Sequence, residues 1–593
     1  MKTFFKYVIA TITGIIIVNL FLLFIFIGFV NIMEETVPPI KNNSVLHIDL
    51  KYPISDRVSN NPLENFEFQT MSTRRNIGLK SIINSIKYAA KDERIKGIYM
   101  NTGDVDGIFG GLGSIKEIRD ALKEFKNTGK FIYSYSNSGY SQKAYYLVSV
   151  ADSIFINPET SVRLSGISTQ ISMYKNTLDK IGIKAEVVKV GKFKAAVEPF
   201  LMTEISEANR KQIETYSTSL WNNIASSISE SRNIEIDTLD YYVDNFKFYK
   251  PEELLSMRLI DGSIYEDEME EKLRIRCGVD ERESIRSISI EKYYTETQLN
   301  APLSPNKIAI VYAQGEIKDN ESSNSIGPEL AKTIGKLKKD DNIKAIVLRV
   351  NSPGGSALTS DIIWREVCLA KKLKPVIVSM GDVAASGGYC ISCAADSILA
   401  EPTTITGSIG IFGLFFSGEE LIKETLGIRT DVVKTHKFSD FGGNTPLPLP
   451  ITDRGLKLVE RTILQEYVER GYRNFLSKVA QGRHMHIAEV DSVGQGRVWT
   501  GEDALKIGLV DKLGGLEDAV AIAATMANTD FYEVVEYPKE KDIVQEILFL
   551  FKQEISSRFA VKHSGIPKAI ARHMENILDR EGIQARIEDM YIK

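Results

Sequence analysis

The sequence predicts an α/β protein made of two tandem copies of one domain, preceded by one apolar helix. Three observations carry this. Lys130 to Ile167 reads KFIYSYSNSGYSQKAYYLVSVADSIFINPETSVRLSGI, and Lys374 to Ile411 reads KPVIVSMGDVAASGGYCISCAADSILAEPTTITGSIGI. With an offset of 244 residues, Ala151, Asp152, Ser153 and Ile154 fall on Ala395, Asp396, Ser397 and Ile398. A period of that size is a duplicated domain, not a solenoid of small units. In both copies strand-like apolar runs alternate with helical stretches, the pattern of parallel strands joined by helices. Finally, Val8 to Ile32 holds no charged residue and is rich in Ile, Leu, Phe and Val. A run of that length can cross a bilayer as a helix.

The elements follow in order. Lys2 and Lys6 precede the apolar run, and Glu34 and Glu35 follow it. Positive charge stays on the cytoplasmic side, so the remainder is expected outside the cytoplasm. Val30-Asn31-Ile32-Met33 offers no small-residue cleavage site, so residues 1–33 read as an uncleaved anchor. Residues 34–43 form a stalk with Pro38 and Pro39. The first copy, 44–294, opens with the alternating run Ser44 to Leu50, with further strands at Ile95 to Met100 and Phe131 to Ser134. Residues 295–306, with Pro302 and Pro305, read as a linker. The second copy, 307–530, repeats the strands at Lys307 to Ala313, Ile343 to Leu348 and Val376 to Ser379. The copies end alike, Leu254 to Asp261 matching Ala504 to Asp511. Residues 531–593 are predicted as a helical tail. Ile543, Val544, Ile547, Leu548, Leu550, Phe551 and Ile555 give it an apolar face for its own domain or a neighbouring subunit, with membrane contact the alternative.

Bulk composition narrows the function. At 593 residues the chain needs more than one core. With 43% hydrophobic and 25% charged residues it is an ordinary globular chain. A net charge of −5 without a basic block gives nucleic-acid binding no electrostatic support. Four scattered cysteines do not make a disulfide framework.

The copies differ where chemistry could sit. Ser386, in Ala-Ala-Ser-Gly-Gly, follows a strand and precedes a helix, where backbone N–H groups and the dipole favour a developing oxyanion. The first copy has Gln142 there. By itself Ser-Gly-Gly also reads as a helix cap. Asn351-Ser352-Pro353-Gly354-Gly355-Ser356 could supply an oxyanion N–H beside that of Gly387, or be a plain Pro-Gly turn. The counterpart Gly107 to Lys116 lacks the Gly-Lys-Ser/Thr ending of a phosphate loop. None of the six histidines is placed near Ser386 by the sequence. Lysine is the alternative base, provided burial keeps it neutral. Lys194 lies in the apolar run Phe193 to Phe200 and aligns with Ser439 of the second copy. A surface lysine with its stem under Phe193 is the competing reading. Cys390 and Cys393 lack the further ligands of a zinc site and read as helical core. Asp152 and Asp396, present in both copies, read as structural.

Taken together, Gly381 to Tyr389, Asn351 to Ser356, Thr406 to Gly410, Phe193 to Phe200 and the closing Gly496 to Gly501 with Gly508 to Asp511 resemble the signal peptide peptidase A family in its long, duplicated bacterial form. The resemblance runs from the anchor to about residue 530. It implies two tandem Clp protease/crotonase-like domains built from ββα units, and a serine protease with a Ser-Lys dyad. It implies Ser386 as nucleophile, Lys194 as general base, Ser408 positioning the lysine, and Gly354 and Gly387 at the oxyanion hole. It further implies no cofactor, a homotetramer on the outer face of the cytoplasmic membrane, and leftover signal peptides and other extended apolar peptides as substrates. An inactive membrane-anchored scaffold and an acyl-CoA enzyme are the alternatives. Both dyad residues being present weighs against the first, and the expected external location against the second.

Overall fold

Strands covered on both faces read as unbroken apolar runs, and Ile308, Ala309, Ile310 and Val311 are all fully buried. The computed structural model describes residues 40–50, 52–58, 66–67, 72–73, 76–102, 110–248, 250–280, 282–299, 304–320, 325–447, 449–539, 582–587 and 591–592, with scattered positions among the first 21. The predicted anchor and the predicted helix at 543–555 lie essentially outside the described residues. Among the described residues no helix is long and apolar enough to cross a membrane.

The first copy builds a parallel sheet in the spatial order Gly262–Ser263, Ser153–Ile156, Phe131–Ser136, Ile95–Asn101, Ser44–Asp49 and Ser287–Ser289. The second repeats that order with Lys512–Leu513, Ser397–Ala400, Val376–Ala385, Ile343–Ser352, Lys307–Gln314 and Glu533–Tyr537. The matching order makes the duplication structural as well as sequential. Helices such as Leu79–Lys91 and Leu112–Lys126 close the first sheet, and Ala357–Lys371 and Leu516–Met526 the second.

Two expectations change. Helix Ile290–Leu299 runs into the predicted linker, because fully buried Tyr293 anchors it to the first core. The predicted helical tail instead supplies Glu533–Tyr537 as an edge strand, where Val534, Val535 and Tyr537 suit a pleated surface. That strand is the counterpart of Ser287–Ser289, so the repeated fold outlasts the recognisable sequence similarity.

A second sheet joins the copies. Its order is Lys184–Lys189, Phe412–Ser417, Gly582–Arg586, Gly354–Ser356, Glu316–Ile317 and Ser325–Ile326. Lys184–Lys189 comes from the first copy and pairs antiparallel with Phe412–Ser417 of the second. Between the main sheets Arg349 is fully buried, with Asp56 at 2.7 Å and Glu117 at 2.6 Å. Burial works against the Arg349 charge, but the two carboxylates outweigh it and raise its pKa. Asp382 of the second copy accepts from Gly111 N at 3.0 Å and Ser114 N at 2.8 Å, capping the first-copy helix Leu112–Lys126. A carboxylate thus fills the helix end that superficially resembled a phosphate loop.

Candidate active site

Strand Val376–Ala385 ends at Ser386, and helix Gly387–Ser392 starts one residue later. Ser386 makes that turn at φ 57° and ψ −110°, a conformation L-residues rarely adopt. Such turns persist where the surroundings over-determine them, and they lift a nucleophile clear of its strand. Here Ser386 N donates to Gly407 O at 2.8 Å, and Cys390 N to Ser386 O at 2.8 Å.

The cross-copy strand pair delivers Lys194. Past Lys189 the chain stays on the second copy, Val190 N donating to Ile411 O at 3.3 Å and Phe193 N to Gln495 O at 3.0 Å. Lys194 Nζ then lies 2.8 Å from Ser386 Oγ, 3.0 Å from Ser408 Oγ and 3.1 Å from Ser408 O. Lys194 and Ser408 are 1% exposed and Ser386 0%. The structure therefore brings together three residues that the resemblance singled out, one from the first copy and two from the second.

Gly354 and Gly387 are neighbours as well. A Cβ on Gly354, where φ is 98°, would stand 2.8 Å from Gly387 N. Gly354 N itself donates to Ser352 Oγ at 3.2 Å. Gly387 opens its helix, and the first N–H groups of a helix lack intrahelical partners.

Several supporting roles escaped the sequence reading. Gly496 packs so tightly that a Cβ on it would come within 2.6 Å of Lys194 N, and its carbonyl accepts from Ser408 Oγ at 3.3 Å. Gln212 donates to Phe193 O at 3.2 Å and accepts from Val498 N at 3.2 Å. Buried Glu198 accepts from Ser206 Oγ at 2.6 Å and Asn209 Nδ2 at 3.1 Å, fastening the far end of the lysine loop. The one available signal was a carboxylate inside an otherwise apolar run.

Other candidates fall elsewhere. Gln142 donates to Gly166 O at 2.9 Å and accepts from Ser165 N at 3.0 Å, a structural brace. Ser439 is exposed and bonds His436 N at 3.2 Å, and His436 is exposed beside it. Cys390 and Cys393 are buried free thiols; burial pushes Cys390 up to about 11 and Cys393 further. Among the described residues no group of three or more His, Cys, Asp and Glu side chains could hold a metal ion.

The model of the Peptidase family S49 matches residues 124–280 and 369–530, once in each copy. The chain belongs to peptidase family S49. Protease 4 of Haemophilus influenzae is 36% identical over 466 residues, covering 77% of this chain and 74% of that protein. The chloroplastic serine protease SPPA of Arabidopsis thaliana is 30% identical over 562 residues, covering 93% and 78%. Among solved structures, the 1510-N membrane-bound stomatin-specific protease with a substrate peptide matches 42% of this chain at 16% identity and a TM-score of 0.27. This S49 member is a serine protease of the signal peptide peptidase A type.

Proposed function

We propose that the chain is a membrane-anchored endopeptidase that cleaves extended apolar peptides, leftover signal peptides among them, through a Ser386–Lys194 dyad. The observation that carries this is the 2.8 Å contact between the Lys194 amine and the Ser386 hydroxyl in a buried site. Counting protons supports the roles. The Ser408 hydroxyl donates to Gly496 O, so its oxygen accepts from the lysine, as the Ser408 carbonyl does. With the amine neutral and bonded to Ser408, its lone pair is the acceptor for the Ser386 hydroxyl proton. Lys194 takes the hydroxyl proton as Ser386 attacks the peptide carbonyl, and backbone N–H groups around Gly387 and Gly354 hold the oxyanion. Lys194 passes the proton to the leaving amine, and water then hydrolyses the acyl-enzyme.

The apolar, uncharged run Val8 to Ile32 supports anchoring at the cytoplasmic membrane with the catalytic copies outside. The repeat supports a homotetramer. Residues 429–434, the counterpart of Lys184–Lys189, carry no strand pairing among the described residues, and Val433 is 99% exposed. A neighbouring copy can add the strand that the first copy's segment finds within its own chain.

Labelling the detergent-solubilised full chain with a fluorophosphonate tests the site. One label per chain on Ser386, with none in Ser386→Ala and apolar peptide cleavage lost in Lys194→Ala, is expected. Parental peptide cleavage by either variant refutes the dyad. Release of the chain by alkaline carbonate refutes the anchor, and a monomeric mass refutes the tetramer.

A further inference from the structure

Both copies receive an extended segment at the same strand positions. With the offset of 244 residues, Gly413 and Leu414 fall on Thr169 and Gln170. In the second copy these residues pair antiparallel with Ile583 and Gly582, and in the first with Ile592 and Tyr591. Adding an extended segment to a strand is a mode of peptide recognition in which main-chain bonds supply the affinity. The first copy has therefore kept a peptide-binding edge. It has not kept the chemistry: Gln142 stands where the second copy has Ser386, its amide bonded to Gly166 O at 2.9 Å and Ser165 N at 3.0 Å.

One stretch of chain visits both edges and serves as a ruler between them. In the second copy the Ala585 carbonyl oxygen lies against the candidate oxyanion glycines: a Cβ on Gly354 would stand 2.1 Å from it, and one on Gly387 3.2 Å. Ile587, two residues on, is buried, donates its N–H to Pro353 O at 3.1 Å and packs with Tyr216, Leu220 and Ile405. Tyr216 and Leu220 belong to helix Glu207–Arg232 of the first copy. The helix that meets Ile587 also meets the first-copy edge, Ser217 Oγ lying 3.4 Å from Thr169 Oγ1. Tyr591 and Ile592, the sixth and seventh residues past Ala585, then pass that edge in the same sense in which Gly582–Gln584 passes Phe412–Leu414.

We propose that the first copy is a second, non-cleaving subsite for extended peptide substrates, an assignment that rests on the dyad reading above. It takes the stretch six and seven residues past the scissile bond and adds it as an antiparallel strand to Thr169–Gln170. An external peptide follows this track in place of the tail, with an apolar side chain at the second position past the bond, against Tyr216, Leu220 and Ile405. Contacts so far from the reacting atoms hold substrate and transition state alike, so they lower KM and leave kcat unchanged. The duplication thereby sets a length preference. A peptide long enough to cross from the second copy to the first binds better than one that ends inside the second.

The test uses the detergent-solubilised full chain, with Ser386→Ala as the inactive reference. Its substrates are fluorogenic apolar peptides sharing one sequence up to the scissile bond and ending three, five, seven or nine residues beyond it, with the bond cut identified by product mass. KM is expected to fall roughly fivefold or more between the five- and seven-residue extensions, with kcat unchanged and no further fall at nine. N-methylating the sixth and seventh nitrogens of the long peptide removes its N–H donors, and Gln170→Pro puts a residue that fits poorly in a strand ladder at the proposed edge. Each change is expected to erase the difference between long and short peptides. Ser386-dependent cleavage whose KM does not fall with length, or falls as much after either change, overturns the subsite and leaves the dyad standing. Failure to cut any peptide, long or short, overturns both.

Discussion

In the second copy Ser386, Gly387 and Ser408 stand where the first has Gln142, Lys143 and Leu164. The strands leading to these positions share one order and one parallel sense. One copy runs its third long strand up to a positive-φ serine that meets a lysine; the other ends the strand at Ser136 and opens the next helix with an ordinary cap, Ser141 accepting from Ala144 N. The lysine loop shows the reverse. Lys189–Phe200 is fastened to the partner copy, whereas its counterpart around Ser439 lies exposed. The difference teaches that scaffold and chemistry separate cleanly in this fold. Each copy keeps the sheet, each has one half of the proposed site, and the contact between copies completes it.

The largest expected effect strikes the proposed nucleophile. Ser386→Ala should lower kcat for peptide cleavage by on the order of 10⁴-fold or more, while Gln142→Ala should leave kcat unchanged. Adding Gln142→Ser to Ser386→Ala should restore nothing, because the buried amine of Lys194 is held at Ser386 and Ser408 of the second copy. Recovery of activity would break the comparison.

The interface between copies comes next. Arg349→Ala strands Asp56 and Glu117 without their buried cation, a change that costs about 3–5 kcal/mol. Urea unfolding should register this loss, and Arg349→Met with Asp56→Leu and Glu117→Leu should recover part of it. No change in the urea midpoint would mean that the ion cluster does not hold the copies together.

A smaller effect belongs to Ser408, the residue proposed to orient the amine. Ser408→Ala should reduce kcat by up to about 10²-fold with KM little changed, because a misplaced group loses alignment rather than binding. An unchanged kcat would remove Ser408 from the site. The smallest effect concerns Cys390 and Cys393. Burial raises both thiols, so iodoacetamide at neutral pH should label them only on unfolding. Fast labelling of the folded protein would contradict the core assignment.

The sequence told much of this through the repeat. The long strands were legible because burial on both faces demands continuous apolar runs. Their ends were not, since Asn351–Ser352 and Gly381–Ala385 continue their strands with polar and small residues. Ser386 and Lys194 stood out as the positions where one copy kept a functional group that the other lacked. Their meeting depends on Lys184–Lys189 pairing with Phe412–Ser417, a long-range contact that no local pattern encodes. Nothing local marked Arg349, Glu117 and Glu198 as buried, because burial of a charge is decided by distant partners. Gly496 stood in the closing motif, but its role did not show there, because that role is close approach to the Lys194 backbone in the other copy.

The central claim is one site divided between two copies of a single chain. Co-expression of Ser386→Ala chains with Lys194→Ala chains, followed by peptide cleavage on the purified mixed assemblies, tests it most directly. If serine and lysine must come from the same chain, mixed assemblies hold no complete dyad and stay inactive. Substantial recovery of parental activity would show that the dyad forms between chains and would contradict the account.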